Sequence, residues 1–460
     1  MNRPPPIAGL VALAVGLSLA ACDDGGAQFD RRTQIGPHPV LPAQQQYLVP
    51  PIHVAEVVGW GPNEAPTAPA GMQVQAFARD LNHPRNVALL PNGDVLVVES
   101  QGPNLDPLTR PKNPIVSWVQ KRATGQSGAK PKGPTNQITL FRDVDGDGVA
   151  DQRSVVIGKL NSPFGVVYAD KFLYVAATDA ILRYPFTPGQ TRITAAPIRL
   201  TELPGGPIDH HWTKSLTLSP DGKLLYATVG SNSNITENGM EAEKNRAAVW
   251  EVERSTGRAR VYGSGLRNPN SPTFYPGTNT LWVVVNERDE LGPNLVPDYL
   301  TSVRDGGFYG WPYSYYGTHV DPRVMPQRPD LVARAIPPDY ALSSHVAALG
   351  LTFYAGNGLP QRYRGGAFIG EHGSWDRHQL NGYKVAFVPF ANARPSGMVE
   401  DFLTGFVSNG GKVRGRPVGV AVDRTGGLLV ADDTGNVVWH VAATRDLAST
   451  DRPAGGRNGL

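Results

Sequence analysis

Five groups of short stretches in this 460-residue sequence combine residue types that can do chemistry. The first is Asp143-Val-Asp145-Gly-Asp147-Gly-Val-Ala-Asp151. Carboxylates at alternate positions, with glycines that permit a tight curl, can wrap oxygen ligands around a structural calcium ion. Ser154 stands where such a loop would place its distal bidentate glutamate, so an acidic turn is the competing reading. The second stretch is Asp209-His210-His211-Trp212-Thr213-Lys214-Ser215, just ahead of an apolar run. A neutral histidine at a strand entrance can act as general base. Paired histidines also serve as surface decoration or as ring-stacking partners.

The third group is three small polar loops: Gly230-Ser-Asn-Ser-Asn-Ile, Gly265-Leu-Arg-Asn-Pro-Asn and Asn286-Glu287-Arg288-Asp289-Glu290. Each adjoins a strand-like run and leaves amides and carbonyls for a metal or ligand. The fourth is Glu371-His372-Gly-Ser-Trp375-Asp-Arg377, and the fifth is Val413-Arg414-Gly-Arg416-Pro. Arginines separated by one residue project to the same side of an extended strand. Such a pair suits a planar polycarboxylate, because each guanidinium can grip a carboxylate through two hydrogen bonds. A solvated basic turn is the alternative.

The elements that must position these residues repeat. A proline or small residue, a short apolar run, a Gly or Asn turn and a second apolar run begin at Pro84, Pro163, Lys214, Pro269, Ala348 and Pro417. Each reads as a β-hairpin. Six copies at irregular spacing predict an all-β fold, a six-bladed β-propeller with long inserted loops. The run Val74 to Phe77 is placed to pair with the last blade and close the ring, which removes an exposed sheet edge. The propeller is expected over residues 71–445, with a disordered tail at 446–460. Gly (52) and Pro (42) are abundant, 40% of residues are hydrophobic and 18% are charged, which fits a turn-rich globular chain.

The first residues read as a signal peptide, 1–21: Arg3, an apolar stretch from Ile7 to Ala20, then Leu19-Ala20-Ala21-Cys22. The ending resembles a bacterial lipobox, which predicts lipidation at Cys22 and a lipid-anchored protein on the periplasmic side of a membrane. Asp23 suggests retention at the inner membrane. Residues 22–70, rich in Pro, Gln, Ala and Gly, read as a flexible tether. Cys22 is the single cysteine, which excludes internal disulfides, cysteine-built metal clusters and covalent c-type haem. A formal charge of +3 gives no reason to expect nucleic acid as a partner.

Taken in order, His-Trp-Thr-Lys-Ser, Leu-Arg-Asn-Pro-Asn, Asn-Glu-Arg-Asp-Glu-Leu-Gly, Tyr309-Gly-Trp-Pro312, His-Gly-Ser-Trp-Asp-Arg and Arg-Gly-Arg-Pro-Val-Gly-Val resemble one family. It is the glucose/sorbosone dehydrogenase family of pyrroloquinoline quinone (PQQ)-dependent sugar dehydrogenases, and its sorbosone and pyranose dehydrogenase branch in particular. The likeness runs from about Leu81 to Val441. It implies a propeller that binds PQQ and calcium and oxidises a sugar, with hydride transfer to the quinone. His211 matches the family's base, with His210 as competitor because Pro207-Ile-Asp-His210 replaces the family's usual glycines. Arg414 and Arg416 match the pair that holds PQQ carboxylates. The resemblance adds Arg85, Arg377 and His372 as cofactor contacts, the backbone carbonyls of Glu287 and Arg288 as ligands of the PQQ calcium, and Trp375 and His345 as substrate walls. It also implies an external electron acceptor, a membrane quinone or a cytochrome. Two other readings remain: a calcium-dependent sugar lactonase, and a non-enzymatic or degenerate propeller that binds glycan or protein, since fold alone does not fix function.

Overall fold

The computed structural model describes residues 30–46, 53–103, 133 and 135–444. The predicted signal peptide, Cys22, Asp23 and the tail 446–460 lie outside the described residues.

Apolar runs such as Val95–Glu99 are buried along their whole length because neighbouring blades cover both faces. Side chains alternate along a strand, so Val95 and Val97 pack towards Phe77, Leu429 and Val438 on one side. Leu96 and Val98 pack towards Val166, Leu173 and Val175 on the other. The same alternation splits Leu281, Val283 and Val285 from Trp282 and Val284. The core is therefore a ring of six apolar seams, one between each pair of adjacent blades.

Blade 1 comprises Pro84–Leu89, Val95–Glu99, Gln137–Arg142 and Gln152–Ile157; blade 2 comprises Gly165–Ala169, Phe172–Ala176, Ala180–Pro185 and Ile198–Glu202. Blade 3 holds Leu216–Leu218, Leu224–Val229, Ala248–Glu253 and Ala259–Ser264, with Gly307–Phe308 added in parallel at its outer edge. Blade 4 holds Asn268–Phe274, Leu281–Asn286, Pro297–Val303 and, after a long insertion, Tyr340–Ser344. Blade 5 is Ala348–Phe353, Ala367–Glu371, Lys384–Val388 and Glu400–Leu403. Blade 6 is Pro417–Val422, Leu428–Asp432 and Val437–Ala443, completed by the N-terminal strand Met72–Ala78.

That last pairing closes the ring: Met72 lies opposite Ala443 and Ala76 opposite Trp439. Near the axis the inner strands crowd one another. A Cβ added at Gly350 or Gly370 would sit 2.0 or 2.1 Å from the Val418 carbonyl oxygen, so only glycine fits there.

The segment 22–70 is not the expected flexible tether where it is described. Residues 30–46 and 53–70 lie along the propeller as a strap. Gly36 exchanges backbone hydrogen bonds with Ala341, Gln45 N–H donates to the Leu291 carbonyl at 2.9 Å, and Val58 N–H to that of Val413 at 2.8 Å. Trp60 inserts edge-on against Trp439 (5.2 Å) and Phe406 (5.5 Å), and its Nε1 donates to Asp432 at 2.6 Å. A few apolar anchors and backbone bonds hold a segment whose composition alone predicts none. Trp60→Ala removes both ring contacts and one donor to a buried carboxylate. It should lower unfolding free energy by roughly 2–3 kcal/mol in a denaturant titration; an unchanged midpoint would contradict the strap's structural role.

Candidate active site

In an antiparallel blade the start of the innermost strand and the end of the second lie at the same end of the propeller. Asn268 pairs with Asn286, Ala348 with Glu371 and Pro417 with Asp432. Loops flanking those positions in blades 3 to 6 converge on a cavity of about 290 Å³, near the lower end of the range for small-ligand sites. Its charged and polar walls include His211, Arg267, Asn268, Asp289, Asp298, His345, His372 and Arg416, with Trp375 as an aromatic side.

His211 Nδ1 lies 2.7 Å from the Ser231 carbonyl oxygen and 3.0 Å from its hydroxyl. A carbonyl only accepts, so Nδ1 carries the proton and Nε2 keeps its lone pair. Burial holds the His211 pKa well below its usual value, helped by the charges of Arg267, His210 and Arg246. The imidazole is thus a neutral base. His210 is exposed, and its ring stands edge-on to His211 at 4.7 Å.

Below this histidine sits a buried ion cluster. Asp209 accepts from Lys214 Nζ at 3.1 Å, from Arg246 Nη2 at 2.7 Å and from the Thr178 hydroxyl. Arg246 also donates to the carbonyls of His211 (3.1 Å), Gly230 (2.9 Å) and Pro204 (2.7 Å). Burial pushes the Lys214 pKa down to about 8, against the pull of Asp209. The cluster fixes the backbone that presents His211.

Also in the cavity lining, His345 Nδ1 lies 3.2 Å from Asp289 and its Nε2 lies 3.1 Å from the Gly292 carbonyl. Burial works against its charge, but Asp289 and Asp376 outweigh it and raise the pKa to about 9. Burial pushes Asp298 up to about 7. Its two oxygens accept from Glu287 N (2.8 Å) and Ala347 N (2.7 Å), tying a loop of blade 4 to the entrance of blade 5. His372 Nε2 meets Asp433 at 3.0 Å; burial, with Arg416 and Arg85, brings its pKa down to about 4 despite that partner.

The structure thus gathers His211, His372, Arg416, Trp375, His345 and Glu287 around one cavity. Arg85 stands behind it, ion-paired to Asp433 and stacked over Trp212 and Phe164 at 5.6 and 5.7 Å. Two expectations need correction, and a third meets a competing contact. Arg414 does not share a face with Arg416, because the chain turns at this point and the strand begins only at Pro417. Arg414 reaches the strap instead, pairing with Glu64 at 3.1 Å over the Trp60 ring. Arg377 is fully buried away from the cavity lining, within 3.4 Å of Ser344 O and Asn294 Oδ1. At the Glu287 and Arg288 carbonyls a calcium ion would meet a competitor. Arg267 Nη1 already donates to the Glu287 carbonyl at 2.6 Å, and a guanidinium there opposes a cation.

The acidic loop lies at the other end of blade 1, after Gln137–Arg142. Asp143, Asp145 and Asp151 bring carboxylate oxygens within 4.8 Å of one another. Asp147 is outside that group and accepts from Val149 N–H at 2.8 Å. Individual roles for Arg267, Asn268, Asp289 and Asp298 were not read from the sequence, although the first three lie in polar loops already singled out. Asp298 had one signal, a lone acid inside the wholly buried strand Pro297–Val303; such charges are kept inside only with partners.

The fold is thus a closed six-bladed propeller with a cavity at one end lined by histidines, carboxylates and arginines. The family model described as glucose/sorbosone dehydrogenase matches residues 166–382, and one described as TrAA12-like matches residues 330–444. Just under half of the chain is thus similar to the glucose/sorbosone dehydrogenase family. An uncharacterized protein of Borreliella burgdorferi is 27% identical over 292 residues, 61% of this chain and 76% of that protein. Aldose sugar dehydrogenase YliI of Escherichia coli is 22% identical over 340 residues, 69% of this chain and 81% of that one. Among solved structures, the holo form of the pyranose dehydrogenase PQQ domain from Coprinopsis cinerea aligns with a TM-score of 0.65 at 20% identity, over 85% of this chain and 100% of that one.

The ion cluster makes a direct prediction. Asp209→Asn leaves Lys214 and Arg246 buried without their carboxylate, and should cost roughly 3–5 kcal/mol of stability in chemical denaturation. A loss under about 1 kcal/mol would show that the cluster does not hold this wall together.

Proposed function

We propose that this chain is a PQQ-dependent sugar dehydrogenase acting on an aldose, pyranose or sorbosone-like hydroxyl or aldehyde. The observation that carries the reading is the meeting, in one cavity, of a neutral histidine with a free Nε2 and a buried arginine with an unanswered donor. Arg416 is 4% exposed; its backbone N–H is held by Asp432 at 2.7 Å, its Nη2 approaches the Tyr383 hydroxyl at 3.3 Å, and its Nε has no partner. An anionic carboxylate would accept from that donor. Asn268 Oδ1, also without a partner, adds an acceptor elsewhere in the cavity lining.

When bound, PQQ supplies a two-electron quinone acceptor, which a divalent cation makes more electrophilic. The protein's own work is positional and acid–base. Arg416 orients the anionic ligand, Trp375 offers a flat apolar face to the sugar ring, and His211 Nε2 takes the proton from the substrate hydroxyl as its C–H bond breaks. Calcium enters the proposal as the ion of the quinone, with the carbonyls of Glu287 and Arg288 as its expected ligands beside Arg267, and as a structural ion at Asp143, Asp145 and Asp151. Electrons then pass to a membrane quinone or a separate cytochrome. Lipidation at Cys22, with the enzyme on the periplasmic face of the inner membrane, completes the reading. The carboxylates Asp289 and Asp298 in the cavity favour one rival, a calcium-dependent lactonase, which would hydrolyse a sugar lactone without PQQ.

Apoprotein given PQQ and calcium should reduce a dye in the presence of at least one member of an aldose panel. Lactone hydrolysis with no dye reduction would decide for the rival. His211→Asn should lower kcat roughly 10²–10⁴-fold while PQQ absorbance still responds to the protein. Because His211 gains a proton only below its depressed pKa, kcat/KM should stay level as pH falls through 6.5 and decline only at lower pH. A decline centred at 6.5 would remove His211 as the base.

The arginines separate the geometry from the sequence pattern. Arg416→Ala should weaken PQQ binding roughly 10–100-fold, the worth of a charged hydrogen-bonded contact, whereas Arg414→Ala should leave it within about twofold, since its partner is an exposed carboxylate. Equal losses in both would restore the paired clamp.

A further inference from the structure

Three loops bring Asp289, His345 and Asp376 together, and one ligand atom from each lies within 4.8 Å of the others. Asp289 follows the second strand of blade 4, His345 its last strand, and Asp376 the second strand of blade 5. Two features distinguish the group from an ordinary buried ion pair. His345 Nε2 lies 3.1 Å from the Gly292 carbonyl, which can only accept, so Nε2 carries a proton and stays committed to that carbonyl, while Nδ1 faces the carboxylates. Metal-bound histidines are held in this way, with one nitrogen on the ion and the other N–H on a carbonyl. Asp376 is 2% exposed; one oxygen accepts from Glu290 N–H at 3.2 Å, and the other, Oδ1, has no hydrogen-bond partner. A buried carboxylate oxygen without a donor is costly, and a cation would satisfy it.

We propose that Asp289, His345 and Asp376 form a site for a divalent first-row transition ion of the zinc or manganese class. An ion that displaces the Nδ1 proton of His345 meets two carboxylates and a neutral imidazole, which match a 2+ charge, and Arg267 holds the outer oxygen of Asp289 at 3.2 Å as a supporting contact. A nitrogen donor in so small a set separates the site from calcium, which takes many oxygens, and suits zinc or manganese. Asp289 and His345 line the cavity, so the ion's remaining position opens onto it. That position would receive water or a sugar hydroxyl, making the ion a determinant of how substrate sits against Trp375.

The test needs neither PQQ nor sugar, so it stands or falls apart from the dehydrogenase reading. Chelator-treated full-length protein is titrated with Co²⁺ while the visible d–d absorption is followed, and Zn²⁺ is then added. One equivalent of Co²⁺ should give a band that Zn²⁺ abolishes and excess Ca²⁺ does not. His345→Asn and Asp376→Asn should each weaken binding at least about tenfold, and Asp145→Asn, in the distant acidic loop, should leave the band unchanged. Both site variants are checked for cooperative unfolding, and either folded one suffices. No band in the wild type, a band retained in a folded site variant, or its loss to Ca²⁺ would each overturn the proposal.

Discussion

Charge taken out of water governs this structure. The end of the propeller where the cavity lies is crowded with acids, arginines and histidines that the six apolar seams hold in place and keep largely dry. Burying each one is costly unless a partner answers it, and the partners come from other loops. Arg246 answers Asp209, Arg267 reaches Asp289, Asp298 binds the amides of Glu287 and Ala347, and Arg85 answers Asp433. Each contact also ties one loop to another, so the desolvation cost that makes the site expensive also makes it rigid.

Where that accounting fails, chemistry becomes available. His211 keeps a lone pair because its other nitrogen is committed to Ser231. Arg416 Nε, Asn268 Oδ1 and Asp376 Oδ1 are buried without partners. Native proteins leave few such atoms, and here several gather at one cavity and the loop behind it. On the proposed reading they await a ligand carboxylate, a polar cofactor edge and a metal ion.

The blades were legible in the sequence because their cause is local. Expected hairpin starts at Pro84, Pro163, Lys214, Pro269, Ala348 and Pro417 meet inner strands that begin at Pro84, Gly165, Leu216, Asn268, Ala348 and Pro417. Val74 to Phe77 falls inside the closing strand Met72–Ala78. The strap was not legible, since isolated anchors such as Trp60 in a Pro- and Gln-rich stretch produce no periodicity. Arg414 and Arg416 misled for a related reason. The alternation rule holds only within a strand, and Gly415 lies in a turn where a Cβ would come 2.0 Å from Asp432. Asp298 and Asp289 acquire meaning only through partners far along the chain. The family motifs found the cavity; folding decided which of their side chains reach it.

On the proposed reading, Arg416 holds an anionic quinone in one cavity while His211 faces the substrate. A crystal structure of the protein with PQQ and calcium tests this most directly. It should show a PQQ carboxylate on the Arg416 guanidinium, with Arg414 still on Glu64 and His211 Nε2 turned towards the ligand. PQQ bound elsewhere, or held by Arg414 and Arg377 with Arg416 turned away, would contradict it.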